Sequence, residues 1–462
     1  MRKRIRVACA AALGAGAVVL GASSAQAQTT TPCATLISSN TALASGATAV
    51  YVTGSSASQT PLQAIAVALA SKGVAIVYQK PDSCVGVGDL INQSADIAAS
   101  NFLDPAQVSG GLAKPVACAP PASTPPDIAP SDVFPDTCAS KLNIGTVGAI
   151  TPTTTSGIRD VWGPVQAMTF AVPAGSSANS ISAEAAYVVF GYDATTYTVS
   201  PWTVPGSIYT RPNTSGTMNM LGAAIGLDPK KFANATPCTT GCPAQLQGGT
   251  GNMQSVLAGA TSNANATIGQ LSWSAVETFS GSDAGAGAFK VLAFQGTGQK
   301  CGYTPSSSAS ALDMINVRQG RYEVWGPLHF LVNVDASGNY KDHTGATNPA
   351  VTTLMNYIVA TGNNPPASVS MDAGAFDGGV TEADIQAIIS AEAKPGYVVP
   401  WCAMQATRTT EIGAPASYQP AAPCGCFYES VLGVSTSSYC HTCGSGCSGS
   451  TPVCRYGFCE AQ

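Results

Sequence analysis

Charge is what this chain has least of. Only 10% of its 462 residues are Asp, Glu, Lys or Arg, against roughly 25% in an ordinary soluble domain. The net charge is −5, and no basic run occurs beyond Arg6. That excludes the electrostatic footprint of a nucleic-acid binder and of a protein held on an anionic membrane surface. Histidine is nearly absent, with three copies. There is no His-Glu-x-x-His, no Gly-x-Ser-x-Gly elbow, and no serine three residues before a lysine, which removes the commonest metal and nucleophile motifs. His329 lies in an apolar, strand-like stretch and reads as a core residue. His343, in Lys341-Asp342-His343-Thr344, reads as part of a solvated turn. After Leu20 no run is long and apolar enough to span a membrane, so no span is expected in the mature chain.

What is present begins with export. Residues 1–27 read as a secretory signal: Arg2, Lys3, Arg4 and Arg6, then a short apolar stretch, then Ala25-Gln26-Ala27 as a small-x-small cleavage site. Cys9 lies inside it, so fifteen of the sixteen cysteines remain after cleavage. In an exported chain these predict disulfides before metal, with one thiol left over or paired between chains. Seven of them, from Cys424 to Cys459, crowd a tail too short for a core of its own. Cys440-His441-Thr442-Cys443 has zinc-like spacing, but disulfides are the better reading in an oxidising compartment. Cys118–Cys138, Cys238–Cys242 and Cys301–Cys402 are the pairings expected, although spacing alone does not decide connectivity.

Residues 28–46 read as a loose lead-in and 101–126, rich in Pro, Gly and Ala, as an irregular loop. Between them, residues 47–52 predict a strand. A helix follows from Thr60, with Pro61 in its first turn and Leu62, Ile65, Ala66 and Leu69 on one face. Gly73 stops it, and residues 74–78 predict a second strand. This order indicates an α/β fold. Residues 167–172 and 187–189 predict further strands, and 216–225 a helix. Val161-Trp162-Gly163-Pro164 recurs as Val324-Trp325-Gly326-Pro327, each copy leading into an apolar run. Two matching crossings of this kind would delimit an inserted domain.

Four loops carry candidate chemistry. Thr53-Gly54-Ser55-Ser56-Ala57-Ser58-Gln59 joins a strand to a helix start, where free amides favour an anion. Tyr78-Gln79-Lys80-Pro81-Asp82-Ser83-Cys84-Val85-Gly86-Val87 repeats the arrangement. Asp127-Ile128-Ala129-Pro130-Ser131-Asp132 sets Asp132 at a strand end, where ligands gather in open α/β sheets. Arg211-Pro212-Asn213-Thr214-Ser215-Gly216-Thr217 combines a guanidinium, hydroxyls and a glycine before a helix, which suits a tetrahedral anion. Any one of these alone is as a rule an ordinary capped turn.

As an ordered set they resemble the periplasmic phosphate-binding protein of the bacterial ABC phosphate importer, over roughly residues 47–405. That family has loops of the forms T-G-A-G-A-T-F, Y-Q…S-S-G-G-V, D-F-G-A-S-D and R-x-D-x-S-G-T, and Val199-Ser200-Pro201-Trp202 is similar to its tryptophan turn. The resemblance implies an α/β, two-lobed type II periplasmic-binding-protein fold with two hinge strands, here with a small disulfide-rich C-terminal tail. Lobe I would comprise residues 47–164 and 325–412, lobe II the inserted residues 165–324, and the tail residues 413–462. It implies ligand-binding roles for Ser58, Gln59, Ser83, Asp132, Arg211, Ser215, Gly216 and Thr217. Phosphate or a related oxyanion would be the ligand, with no cofactor, no metal and no catalytic residue. A monomer in the periplasm, or secreted, would serve an ABC permease.

Asp132 would accept a proton from the ligand, favouring phosphate over sulfate. Asn213 departs from the family, which has there an Asp that pairs with the arginine. The departure predicts a more positive site and a less constrained Arg211. Asp96-Ile97-Ala98-Ala99-Ser100-Asn101 also imitates the carboxylate motif but ends in Asn. The competing readings are a secreted hydrolase of phosphorylated substrates and a surface or matrix interaction protein that uses the tail.

Overall fold

The computed structural model describes residues 31–94, 100–142, 157–235, 244–281, 287–308, 311–361, 381–434, 440–451 and 453–460. The expected signal segment, residues 96–99 and the Cys238–Cys242 pairing lie outside them. The lead-in differs from expectation. It contains a helix, α1 (Cys33–Ser38), tied down by a Cys33–Cys118 disulfide.

The predicted strand–helix–strand order is present as β1 (Thr48–Thr53), α2 (Gln59–Ala68) and β2 (Val74–Gln79). Leu62, Ile65, Ala66 and Leu69 are all buried. Gly73 turns the chain at φ +77°, where a side chain would strain the backbone. β1 and β2 pair in parallel, and β2 is buried almost throughout, as a strand covered on both faces must be. After α3 (Ser83–Asn92) the expected loop is a hairpin of β3 (Ser100–Ser109) and β4 (Leu112–Cys118). Gly110 and Gly111, both at positive φ, make its two-residue turn. Pro105 lies at the register break between Asp104 and Val108, and Pro115 on the outermost strand. Those are the places a sheet tolerates proline, and they disguised the strands. The expected Cys118–Cys138 bond is therefore corrected: Cys118 joins Cys33, and Cys138 joins Cys84.

β5 (Ile128–Ser131) runs parallel to β1 and leads to α4 (Pro135–Leu142). The sixteen-residue β6 (Ile158–Pro173) follows. Beyond it come β7 (Ser180–Ser182), α5 (Ala183–Tyr192), α6 (Gly216–Ile225), α7 (Thr250–Gly259), β8 (Gly269–Ser272), α8 (Trp273–Gly281), β9 (Phe289–Val291), β10 (Ala293–Gln295) and α9 (Ile315–Arg318). The chain returns in β11 (Trp325–Val334) and β12 (Tyr340–Lys341), then α10 (Pro349–Thr361) and α11 (Glu382–Ala393). The strand expected at 187–189 is inside α5; Ser182 caps that helix by accepting from the Ala185 amide, and its apolar run is helical. The main sheet is ordered β4-β3-β2-β1-β5-β11-β6-β8, so the protein is mixed α/β.

β6 organises the site. Its first part pairs with β11, from Ile158 to Ala167; its last part, Met168 to Pro173, pairs with β8 and β9. The segment 174–324 thus leaves the far end of β6 and comes back into β11. The two Trp-Gly-Pro copies lie on these neighbouring antiparallel strands. The Trp401 indole donates to the Gly163 carbonyl at 2.8 Å and stacks on Trp162. Arg408 covers Trp325 at 3.9 Å.

The C-terminal region holds several disulfides. β13 (Ala406–Thr407) and β14 (Ala416–Ser417) lead into α12 (Gly425–Val431), and β15 (Val453–Arg455) pairs with β16 (Phe458–Glu460). The bonds are Cys402–Cys424, Cys426–Cys440, Cys443–Cys454 and Cys447–Cys459. The expected Cys301–Cys402 pair is corrected, and Cys301 is an exposed free thiol. Cys440 and Cys443, the zinc-like pair, are each in a disulfide. The region is also docked on the body. Cys424, Tyr428, Leu432 and Tyr456 share one hydrophobic cluster with Trp325 and Phe330. Arg318 and Glu429 form a buried ion pair at 2.9 Å. Glu460 accepts the Cys426 amide at 2.8 Å, at the start of α12. No helix among the described residues is long and apolar enough to cross a membrane.

Candidate functional site

The first loop leaves β1 through Gly54. A β-carbon there would lie 2.1 Å from the Pro130 carbonyl oxygen, so only glycine lets β1 and β5 end side by side. The Ser55 amide then donates to that carbonyl at 2.9 Å, and the Tyr78 hydroxyl donates to the Ser55 carbonyl. Gly86 brings α3 just as close: its β-carbon would fall 2.4 Å from Gly54 Cα. Three strand ends and two helix starts are thereby drawn to one point.

Asp132 is at that point, 2% exposed. Its Oδ1 accepts from the Ser55 hydroxyl and, at 2.6 Å, from the Gln166 amide on β6. Its backbone N–H donates to Ser83 Oγ at 3.2 Å. Its Oδ2 faces the start of α6: a β-carbon on Gly216 would stand 2.9 Å from it and 2.3 Å from Ser83 Oγ. The absence of a side chain at Gly216 is what lets the first turn of α6 approach. The amides there, Gly216 and Thr217, have no partner within their own helix.

Arg211 completes the cluster, fully buried. Its Nε donates to the Gln247 carbonyl at 3.0 Å, and its Nη2 donates to Ser56 Oγ and to Asp82 Oδ1, both at 3.1 Å. Its Nη1 is buried with no partner. Asp82 Oδ2 accepts from Thr214 Oγ1 at 3.0 Å, the Cys84 amide donates to the Thr214 carbonyl at 3.1 Å, and Ser56 Oγ lies 2.9 Å from Thr250 Oγ1. Arg211 is therefore held firmly, and the looser, more positive arginine expected from Asn213 is corrected. The counter-charge comes from Asp82, on the other side of β6 in sequence.

Ser58 is buried and its hydroxyl has no partner. The Gln59 side chain turns away, bonded to Lys80 and to Gln63. Ser215 precedes α6 and Thr217 lies in its first turn, both buried. The Ser215 amide is spent on the Pro212 carbonyl. Asn101 sits in β3, paired with Tyr78 across the sheet. Sequence reasoning passed over Ser55, Ser56, Asp82, Gln166, Thr214 and Thr250. Five had a signal: four stand inside the four loops, and Gln166 lies just past a Trp-Gly-Pro copy. Thr250 had none.

Burial dominates the electrostatics. It raises the Asp82 carboxyl to about 6, although Arg211 and Thr214 pull the other way and Asp132 adds to the rise. It raises the Asp132 carboxyl too, against hydrogen bonds from Ser55, Gln166 and Ser83 and the pull of Arg211. Tyr78, wholly enclosed, is pushed well up by burial and by both aspartates. Two of the three histidines are engaged elsewhere. His329 Nδ1 meets Asp160 at 2.8 Å. His343, expected in a solvated turn, is instead partly buried, with its amide and its Nδ1 both on Asp127. Asp127 also holds the Tyr51 amide, so this residue of the third motif organises the backbone. The arrangement offers hydroxyls, amides, one guanidinium nitrogen and one carboxylate oxygen, the complement of a compact oxyanion that carries a proton.

No family model and no curated protein matches the sequence. Among solved structures, the chain is similar to a putative phosphate ABC transporter substrate-binding protein with bound phosphate from Clostridium perfringens. The identity is 12% and the TM-score 0.44, over 76% of this chain and 99% of that one. An ancestral soluble variant of the human phosphate binding protein shows 14% identity and TM-score 0.42, over 76% and 90%. An ABC-type phosphate transport receptor from Vibrio cholerae shows 13% and 0.37, over 64% and 90%. At these values the likeness carries no functional argument, and the chemistry of the residues has to.

Proposed function

We propose that the chain is an exported solute-binding protein that captures phosphate, or a related tetrahedral oxyanion, without covalent chemistry. The cleft would lie between two lobes of a type II periplasmic-binding-protein fold, residues 47–164 with 325–412 and residues 165–324, hinged on β6 and β11. One observation carries the reading. Arg211 Nη1 is buried without a partner, in the same cluster where Asp132 Oδ2 faces the first turn of α6. An anion there would satisfy the guanidinium, and its proton would satisfy the carboxylate. Sulfate brings no proton near neutral pH, so its oxygen would face the Asp132 carboxylate with no hydrogen between them, a penalty of about 1–3 kcal/mol. The disulfides suit an oxidising compartment, the periplasm or beyond. A monomer delivering its ligand to an ABC permease completes the proposal.

Calorimetry with phosphate, arsenate and sulfate tests it. Phosphate and arsenate should bind and sulfate should not. Asp132→Asn should admit sulfate, and Arg211→Ala should abolish binding. Equal affinity for sulfate and phosphate would remove the selectivity, and failure of all three anions to bind would remove the function.

A further inference from the structure

The pair that holds Arg211 joins parts of the chain that β6 separates. Asp82 and Ser56 precede β6, whereas Arg211, Thr214 and Thr250 belong to the segment between β6 and β11. Five polar contacts cross this divide: Arg211 to Asp82, Arg211 to Ser56, Thr214 to Asp82, the Cys84 amide to Thr214, and Ser56 to Thr250. Asp82 makes two of them with its two carboxylate oxygens, and it lies directly before Ser83. Its side chain is 7% exposed and that of Arg211 1%. A buried pair of this kind binds tightly only while both partners are present, because either one left alone is an uncompensated charge out of water.

We propose that Asp82 is the latch and selectivity residue of the cleft. It fastens the two sides through Arg211 and Thr214 only when they meet, and it cancels the guanidinium charge, so a ligand must be recognised by hydrogen bonds rather than by charge alone. The inference rests on the oxyanion reading for its consequence, ligand retention, but not for the latch itself. The charged or titratable groups around Asp82 are Arg211, which pairs with it, and Asp132 and Tyr78, which face it within the cluster. Lys80 feels the same arginine from the second loop. With Asp82 ionised, the counter-charge lies across the divide, so opening separates a charge pair and closing restores it.

Small-angle scattering of the full mature chain, dialysed free of anions at pH 7.5, reads the latch directly. Asp82→Ala should enlarge the radius of gyration over the unmutated protein. Thr214→Val, which removes one contact and no charge, should move it the same way by less. Adding inorganic phosphate should return Asp82→Ala to the compact value, since phosphate takes over the guanidinium. Its phosphate dissociation should be faster by on the order of tenfold, with association little changed. If Asp82→Ala does not fold, Thr214→Val alone decides. Scattering curves that coincide for the unmutated protein and the folded variants overturn the latch, whatever the anion results. Expansion in a protein that binds no phosphate upholds the latch and sinks only the ligand.

Discussion

Asp82 and Asp132 show how burial sets the properties of single side chains. Both carboxyls are raised, and Asp82 reaches about 6 from an ordinary 3.8. A carboxyl whose value is higher in the folded protein than in the unfolded chain binds more protons when folded, so its contribution to stability is present in full below the ordinary value and is lost as pH rises through about 6. The stability of the unmutated protein relative to Asp82→Asn, measured by denaturant unfolding, should therefore rise as pH falls from 7.5 to 5.5. A difference that stays constant with pH would show that Asp82 does not titrate there. The neutral carboxyl still accepts from Arg211 and Thr214, so the hydrogen bonds survive protonation while the charge pair does not.

At the scale of the element, helix starts and glycines decide the geometry. α6 reaches Ser83 and Asp132 because Gly216 has no side chain, and α3 reaches Gly54 because Gly86 has none. Gly216→Ala should cost about 1–3 kcal/mol through crowding and should weaken anion binding by more than that stability loss implies. Gly86→Ala should lower the melting temperature with a comparable cost, since its neighbours are backbone atoms that cannot swing aside. Melting curves and calorimetry on the two variants separate the roles: Gly216→Ala binding as tightly as the unmutated protein would contradict the close approach of α6. The β3–β4 hairpin teaches the opposite lesson. Its prolines and paired glycines look like loop composition, yet each occupies a position a sheet edge permits.

For the whole molecule, the C-terminal region is structural as well as peripheral. Its Glu429 neutralises Arg318 inside the body, and its Tyr428 is fully buried there. Glu429→Ala should destabilise by about 3–5 kcal/mol, because it leaves a buried guanidinium without its ion-pair partner. Removing residues 413–462 should for the same reason lower the melting temperature sharply rather than spare the body. A truncated chain that melts like the full one would refute this docking. The Cys33–Cys118 bond spans 85 residues, and replacing both cysteines by alanine should cost about 2–5 kcal/mol, measured by denaturant unfolding.

Taken alone, the order of residues was enough for what depends on near neighbours. The strand–helix alternation of 48–79 and the helix at 216–225 follow from side-chain period, capping residues and glycine spacing, whereas the meeting of the loop, hydroxyl and arginine motifs was expected only from their ordered resemblance to a known family. Only the tertiary structure decided what distant segments do to one another. Asp82 replaces a partner sought beside Arg211, Cys118 and Cys138 find different mates, Asp127 claims His343, and Glu429 reaches Arg318. Such pairings are chosen by which groups the packed sheet forces together out of water, a condition that separation along the chain does not encode.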